Sequence, residues 1–309
     1  MRAAVWLLIA ATLIPMGCGG GSLSGQEQVS FVTVDTDPDW SPAGRLIAFA
    51  SSRNTGGIYV IRPDGTGLRR VFRGGASNVD WSPDGRRIAF QDRGIYMVRL
   101  DGGRPTRVLR GTGFSLPAWS PSGDELAVVK DEADLSTAIY VVRSDGKKLR
   151  RLLQPQLRRS DPNWTSVAAS ETEPTWSPDG RQIAFQAGDG HIVVVRLADG
   201  RRHEIATGYE PAWSPDGSRV AFSLDDAVWV VAADGSDNPR RVAPAGGDPS
   251  WAQDSDRLVF EVLHHRGRYF RKAESLSLID ATGDDLRKLT FGGSTRDDPG
   301  WRRDLAPVP

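Results

Sequence analysis

Six tryptophans in this chain, Trp40, Trp81, Trp119, Trp176, Trp213 and Trp251, share a setting, and the residues three positions upstream of them are Asp37, Asn78, Leu116, Glu173, Glu210 and Asp248. Four of those six are carboxylates, and Asp298 repeats the spacing ahead of Trp301. Carboxylates that converge in a recess concentrate negative potential, so the chemistry to expect is the binding of a divalent cation or of a basic group on a partner. The competing expectation is structural: each acid hydrogen-bonds the backbone of its own repeat.

A second group of candidates lies near the C-terminus. His264, His265, Arg266, Arg268, Tyr269, Phe270, Arg271 and Lys272 mix basic and aromatic side chains in the way that contact hot spots do. Stacking on a nucleic-acid base would use the same residue types. The chain, however, carries 39 Lys plus Arg against 39 Asp plus Glu, so no net field draws it to nucleic acid, and none is expected as a partner. A solvated surface loop is the plainer reading of the segment.

Catalytic signatures are missing from the sequence. There is no G-x-S-x-G elbow, no phosphate-binding loop and no dinucleotide fingerprint, and the four histidines show no H-E-x-x-H spacing. His191 follows Gly188-Asp189-Gly190 at the start of an apolar run and reads as structural. No catalytic residue, metal ligand or cofactor is therefore assigned, although a divalent cation among the carboxylates stays open.

The N-terminus has the pattern of an export signal: Met1-Arg2, then a mostly apolar run from Ala3 to Met16, then Gly17-Cys18-Gly19. The step of small residues onto the only cysteine resembles a bacterial lipoprotein signal, in which that cysteine becomes the lipidated first residue. Pro15 departs from it, standing where such signals carry leucine. The alternative is an ordinary secretory signal that leaves Cys18 as a free thiol. A single cysteine forms no intrachain disulfide, and lipidation gives it a purpose in an oxidising compartment. The organisation expected is a signal over 1–18, a Gly/Ser tether over 19–27 and one folded domain over 28–309. The protein is then exported, periplasmic or otherwise extracytoplasmic, held to the membrane through Cys18, and monomeric.

The elements that must position these residues come from a repeat. Trp-Ser-Pro-Asp-Gly occurs at Trp81, Trp176 and Trp213, with close copies at Trp40 and Trp119 and a weaker one at Trp251. Successive tryptophans are 41, 38, 57, 37 and 38 residues apart, near the period of a four-stranded propeller blade, with one insertion. The second unit shows four β-like runs: one ending at Trp81, then 87–91, 94–100 and 106–109. Ser-Pro-Asp-Gly suits the first turn, and Asp64-Gly65, Asp101-Gly102, Asp145-Gly146, Asp199-Gly200 and Asp234-Gly235 suit the third. Pro38, Pro117, Pro174, Pro211 and Pro249, two residues before a tryptophan, would break a central strand but fit an edge strand facing a central channel. The fold class expected is all-β, a six-bladed propeller of four-stranded antiparallel blades, with seven blades as the alternative. Ring closure could use 29–34 as an extra strand or 286–291 as the fourth strand of the last blade.

The phrase from Glu210 to Ser236, EPAWSPDG with VAFS and VWVVAADGS after it, resembles the TolB-like propeller family, also called PD40 or WD40-like β-propeller repeats, and the likeness runs from Asp37 to Phe291. The resemblance implies a six-bladed propeller, and the member that names the family is a periplasmic component of an envelope system that docks a lipoprotein on its propeller. The α/β domain that precedes the propeller in that member is missing from this sequence.

Propeller topology puts the turns between strands one and two, and three and four, on one face. The loops between strands two and three, and the crossings between blades, lie on the other. The long segments 130–137, 153–172 and 263–275 all belong to the second group, as do the acids three before each tryptophan. That face is the expected partner surface, bearing Asp37, Glu173, Glu210, Asp248, His264, His265, Arg268, Tyr269 and Phe270. A non-enzymatic envelope scaffold that binds a protein or wall polymer there is the leading expectation. The alternatives are a metal-assisted hydrolase, lyase or lactonase-like enzyme at the channel mouth, and a small-ligand sensor. Basic pairs such as Arg69-Arg70, Arg150-Arg151 and Arg240-Arg241 fall on the outermost strands, where charge discourages edge-to-edge pairing; contact with anionic lipid is their other reading.

Overall fold

The computed structural model describes residues 33–153, 170–188, 190–265 and 271–290, and of 263–265 and 271–274 only the backbone. The chain divides into two units, Met1–Phe31 and Val32–Pro309, and every described residue lies in the second. The signal, the tether and Cys18 therefore lie outside the described residues, as do 154–169 of the long insertion and Arg268, Tyr269 and Phe270.

That second unit is a six-bladed β-propeller, each blade an antiparallel sheet whose four strands follow one another in order. Blade 1 is β1 (Asp35–Trp40), β2 (Ile47–Ser51), β3 (Gly57–Ile61) and β4 (Arg69–Arg73). Blade 2 is β5 (Ser77–Trp81), β6 (Arg87–Gln91), β7 (Gly94–Arg99) and β8 (Thr106–Arg110). Blade 3 is β9 (Phe114–Trp119), β10 (Glu125–Asp131), β11 (Thr137–Arg143) and the two-residue β12 (Arg150–Arg151). Blade 4 is β13 (Glu171–Trp176), β14 (Gln182–Ala187), β15 (His191–Arg196) and β16 (Arg202–Thr207). Blade 5 is β17 (Tyr209–Trp213), β18 (Arg219–Leu224), β19 (Ala227–Ala232) and β20 (Arg240–Ala243). Blade 6 is β21 (Gly247–Trp251), β22 (Arg257–His265), β23 (Arg271–Asp280) and β24 (Arg287–Lys288).

The repeated phrase works through its serine. Ser82 Oγ accepts the Arg87 amide at 2.9 Å and donates to Asp84 Oδ1 at 2.5 Å, while the Gly85 amide closes the turn onto the Ser82 carbonyl at 2.8 Å. Gly85 takes φ +67°, a region that favours glycine; in the sixth repeat Ser255 occupies the same place at φ +61°. The same lock recurs at Ser177 and Ser214, so the motif is a spring-clip for the first hairpin of the blade.

Packing between blades uses the tryptophans. Phe49, Phe90, Phe185, Phe222 and Phe260 fill the sheet centres without exposure, and five of the six repeat tryptophans are 5–8% exposed between neighbours. Trp81 Nε1 donates to the Asp39 carbonyl of the preceding blade at 3.1 Å, and Trp251 Nε1 to that of Ala212 at 3.0 Å. The basic pairs act here too: Arg69 Nη1 donates to the Leu100 carbonyl at 3.1 Å and Arg240 Nη1 to that of Thr282 at 2.8 Å, so these cations staple one blade to the next.

Ring closure exchanges no strand among the described residues. Trp40, Ile47 and Phe49 of blade 1 share a core with Val259, Leu276 and Leu278 of blade 6. The Val34 carbonyl accepts the Ser52 amide at 3.0 Å, which adds Val34 to blade 1, and Arg287–Lys288 supplies the fourth strand of blade 6. Of the segment 263–275, the described residues 263–265 and 271–275 continue the hairpin, with β22 and β23 paired as far as His265 and Arg271.

Candidate functional site

Each inner strand carries a β-bulge at the same place. Pairing between the first and second strands slips between Thr36 and Asp39, and equivalently between Ser77 and Asp80, Thr172 and Thr175, Tyr209 and Ala212, and Gly247 and Ser250. The residue three before each tryptophan absorbs the kink in left-handed geometry: Asp37, Asn78, Leu116, Glu173, Glu210 and Asp248 all have φ between 49° and 55°. Bulges re-aim side chains, and this one is repeated around the ring. Five of the six are followed by proline, which has no amide to leave unpaired at the irregular step.

The bulge puts the acids in register with one another. Glu173 Oε2 accepts the Glu210 amide at 2.6 Å, and Glu210 Oε2 accepts the Asp248 amide at 2.7 Å. Ser223 Oγ donates to the same Glu210 oxygen at 2.7 Å, and lies 3.0 Å from the Asp248 amide. The Asp37 amide donates to Glu261 Oε1 at 2.7 Å, and Asn78 Nδ2 to Asp37 Oδ1 at 3.2 Å. Each bulge amide named here is thus held by an acid of the preceding blade rather than of its own. Asp37, Asp248 and Glu261 each offer a carboxylate oxygen within 4.8 Å of the others.

Crowding and burial work against ionisation at this mouth. Burial raises the Asp37 carboxyl, and Glu210 adds repulsion; burial also lifts Asp248 well above the usual carboxylate range, followed by the charges of Glu261, Glu210, Asp37 and Glu173. A second acidic tier lies one step along the inner strands. Asp39 accepts the Trp81 amide at 2.7 Å and the Ser250 hydroxyl at 3.0 Å, and Asp80 accepts the Trp119 amide at 2.6 Å. Burial pushes Asp39 up to about 6, and burial plus the charge of Asp39 pushes Asp80 well above its ordinary value.

Sequence reasoning placed Asp37, Glu173, Glu210 and Asp248 at one mouth, and the structure links them there. It missed Asp39, Asp80 and Glu261. The first two had a readable signal, an acid directly before a repeat tryptophan; Glu261 follows the core Phe260 on a second strand, where nothing in the repeat marks it. His264 and His265 end β22, and their side chains are outside the described set. His191 Nδ1 pairs with Glu204 Oε1 at 2.9 Å on an exposed surface. Two further acids are neutralised locally: Asp35 is buried against Arg53, and Glu171 against Arg202 at 3.3 Å.

Comparison with known proteins agrees on the architecture. No family model matches the chain. A stretch of 84 residues, 27% of this chain, is 29% identical to the "Uncharacterized peptidase YuxL" of Bacillus subtilis (strain 168), and spans only 10% of that protein's length. Among solved structures, a putative TolB from Agrobacterium tumefaciens aligns with a TM-score of 0.60 and 22% identity over 74% of this chain and 86% of that one. TolB from Acinetobacter baumannii aligns at 0.58 and 19% over 71% of this chain and 57% of that one. An oligogalacturonate lyase in complex with manganese aligns at 0.56 and 12% over 84% of this chain and 78% of that one. At these identities the likeness shows the fold, a TolB-like six-bladed propeller.

Proposed function

We propose that the protein is a non-catalytic propeller scaffold of the cell envelope whose acid-lined mouth receives a basic side chain or a free amino terminus of a protein partner. The observation that carries this reading is the hydrogen-bonded run Glu173, Glu210, Asp248, with Glu261 and Asp37 beside it. Asp37 and Asp248 are raised chiefly by burial and further by neighbouring charges, and a bound cation opposes both by favouring their ionised forms. Export and anchoring through Cys18 belong to the same proposal, supported by the signal-like N-terminus and by the fold likeness to TolB.

The test is fluorescence anisotropy with a labelled lysine-rich peptide and its glutamate-rich counterpart. The double variant Glu173→Gln, Glu210→Gln keeps the acceptor oxygens while removing two charges. We expect the lysine peptide to bind the native protein and to bind the variant at least about tenfold more weakly, a change of about 1.4 kcal/mol. Equal affinity for both proteins, or preference for the glutamate peptide, would overturn the reading.

A second reading rests on the three oxygens within 4.8 Å at Asp37, Asp248 and Glu261. Hard carboxylate donors suit manganese, calcium or magnesium, and one of the fold's neighbours is a lyase in complex with manganese. In that case the mouth would serve a metal-assisted lyase or hydrolase. Titration with manganese alone, followed by electron paramagnetic resonance and repeated in Asp248→Asn, separates the two: tight binding lost in the variant favours the metal, and its absence favours the basic side chain.

A further inference from the structure

Among the described residues, five of the six seams between blades are built alike. In those five the glycine of a third turn rests on the fourth strand of the blade before it. A Cβ placed on Gly65, Gly102, Gly146, Gly235 or Gly283 would lie 3.8, 3.7, 2.6, 3.6 or 3.2 Å from the carbonyl oxygen of Leu289, Val71, Val108, Glu204 or Val242 respectively. At Gly200, in the seam between blades 3 and 4, no described atom comes within 4 Å. The fourth strand beside it, β12, is two residues long, as is β24, whose seam with blade 1 is closed by Gly65 all the same, so strand length alone does not set this seam apart. A groove of about 720 Å³ opens there, lined by Glu125, Arg150, Leu153, Trp176, Leu197 and Arg202 among others.

The seams also differ in what covers the tryptophan. The residue six after a repeat tryptophan reaches the tryptophan of the following blade: Arg87 lies over Trp119 at 4.8 Å, Arg219 over Trp251 at 4.8 Å, and Arg257 over Trp40 at 5.6 Å. The corresponding residues in blades 1 and 4 are Leu46 and Gln182, and their target tryptophans, Trp81 and Trp213, are still buried to 5% and 8% exposure. Blade 3 alone presents an acid, Glu125, and its target Trp176 is the one repeat tryptophan left half-buried, facing the groove. A carboxylate gains nothing from the negative face of an indole, and Glu125 turns instead to Arg150 at 3.3 Å. Arg150 is 53% exposed, while Arg202 is held by Glu171 at 3.3 Å and lies over Phe185 at 5.8 Å.

We propose that this seam is a second binding site, on the face opposite the acidic mouth, which takes an arginine or lysine side chain of a protein partner onto the Trp176 indole with Glu125 as its counter-ion. The guest would supply the cation that Arg87, Arg219 and Arg257 supply from within the chain, entering through the groove beside Leu153 and Gly200. The site stands whether or not the mouth binds a cation, because it shares no residue with it.

The test follows the indole 15N–1H resonance of Trp176, assigned by its loss in Trp176→Phe, during titration with acetyl-glycyl-arginyl-glycinamide. The mouth is silenced with Glu173→Gln, Glu210→Gln, so that its failure and the failure of this site are read separately. The resonance is expected to shift saturably with and without the silenced mouth, and to stay fixed with the glutamyl analogue of the peptide. Glu125→Gln, which keeps the shape and removes the charge, is expected to weaken binding about threefold to tenfold. Glu125→Arg rebuilds the stack that Arg87, Arg219 and Arg257 make in their seams, so it should keep or raise the melting temperature, showing a folded ring, and abolish the shift. A Trp176 resonance that ignores the arginyl peptide, a shift that survives Glu125→Arg, or a response to the glutamyl peptide, which would mean an anion site on the two arginines, overturns the proposal.

Discussion

Replacing Asp39 by Asn should make the ring more stable at neutral and alkaline pH and leave it unchanged in acid. Asp39 is half-buried in the channel wall, where its oxygens take the Trp81 amide at 2.7 Å and the Ser250 hydroxyl at 3.0 Å. Asparagine keeps one acceptor for the amide, and the hydroxyl of Ser250 can turn to accept from the other end. Burial raises the carboxyl from 3.8 in the unfolded chain to about 6 in the fold. Below the lower value both states are protonated and nothing is lost. As pH rises toward the upper value the unfolded chain releases its proton first, so stability falls, and above about pH 6 the loss is constant. Two pKa steps at about 1.4 kcal/mol each, trimmed for partial solvent access, give about 2 to 3 kcal/mol. For a domain of this size that is a rise of about 4 to 12 °C in melting temperature. Thermal melts of native and variant protein by circular dichroism, at pH 3 and pH 8, read it directly. A gain of equal size at both pH values, or a loss at pH 8, would refute the reasoning, because neither follows from relief of a buried charge.

Two other outcomes follow from the same packing. Gly146→Ala puts a methyl 2.6 Å from the Val108 carbonyl oxygen at φ +80°, whereas Gly200→Ala meets only the cost of φ +69°; chemical denaturation should show a loss of about 1 kcal/mol for the second and clearly more for the first. Arg53→Met leaves Asp35 buried without its partner, and should cost about 3 to 5 kcal/mol in the same assay, most of it recovered in the double variant with Asp35→Asn.

How much of this was legible beforehand depends on what each feature needs. Blade number, strand positions and the two kinds of turn were all readable, because Ser-Pro-Asp-Gly and Asp-Gly act within a few residues of chain. The ring of acids was legible as a spacing, but its cause was not. The left-handed bulge at Asp37 and its five equivalents appears only when the first strand is paired with the second, and the sequence offers no register. The acids hold the amide of the following blade rather than of their own, a contact such as that between Asp37 and Glu261 spanning 224 residues of chain. Residues 263–275 read as a loop because basic and aromatic side chains obscured the alternation of a strand; the backbone pairs to the end of β22 regardless. The open seam had a visible trace in Glu125, which stands where Arg87, Arg219 and Arg257 recur. That trace carries no meaning until the fold brings Trp176 beside it.

The most direct measurement of the central claim is calorimetric titration of the lysine-rich peptide, across a series of pH values and in two buffers of different ionisation enthalpy, which counts protons exchanged on binding. Asp37 and Asp248 are held above their ordinary range by burial and by their neighbours, and a basic group placed between them should let them ionise. Protons should therefore be released on binding, and fewer of them in Asp248→Asn. Binding with no proton exchange, proton uptake, or no binding at all would contradict it.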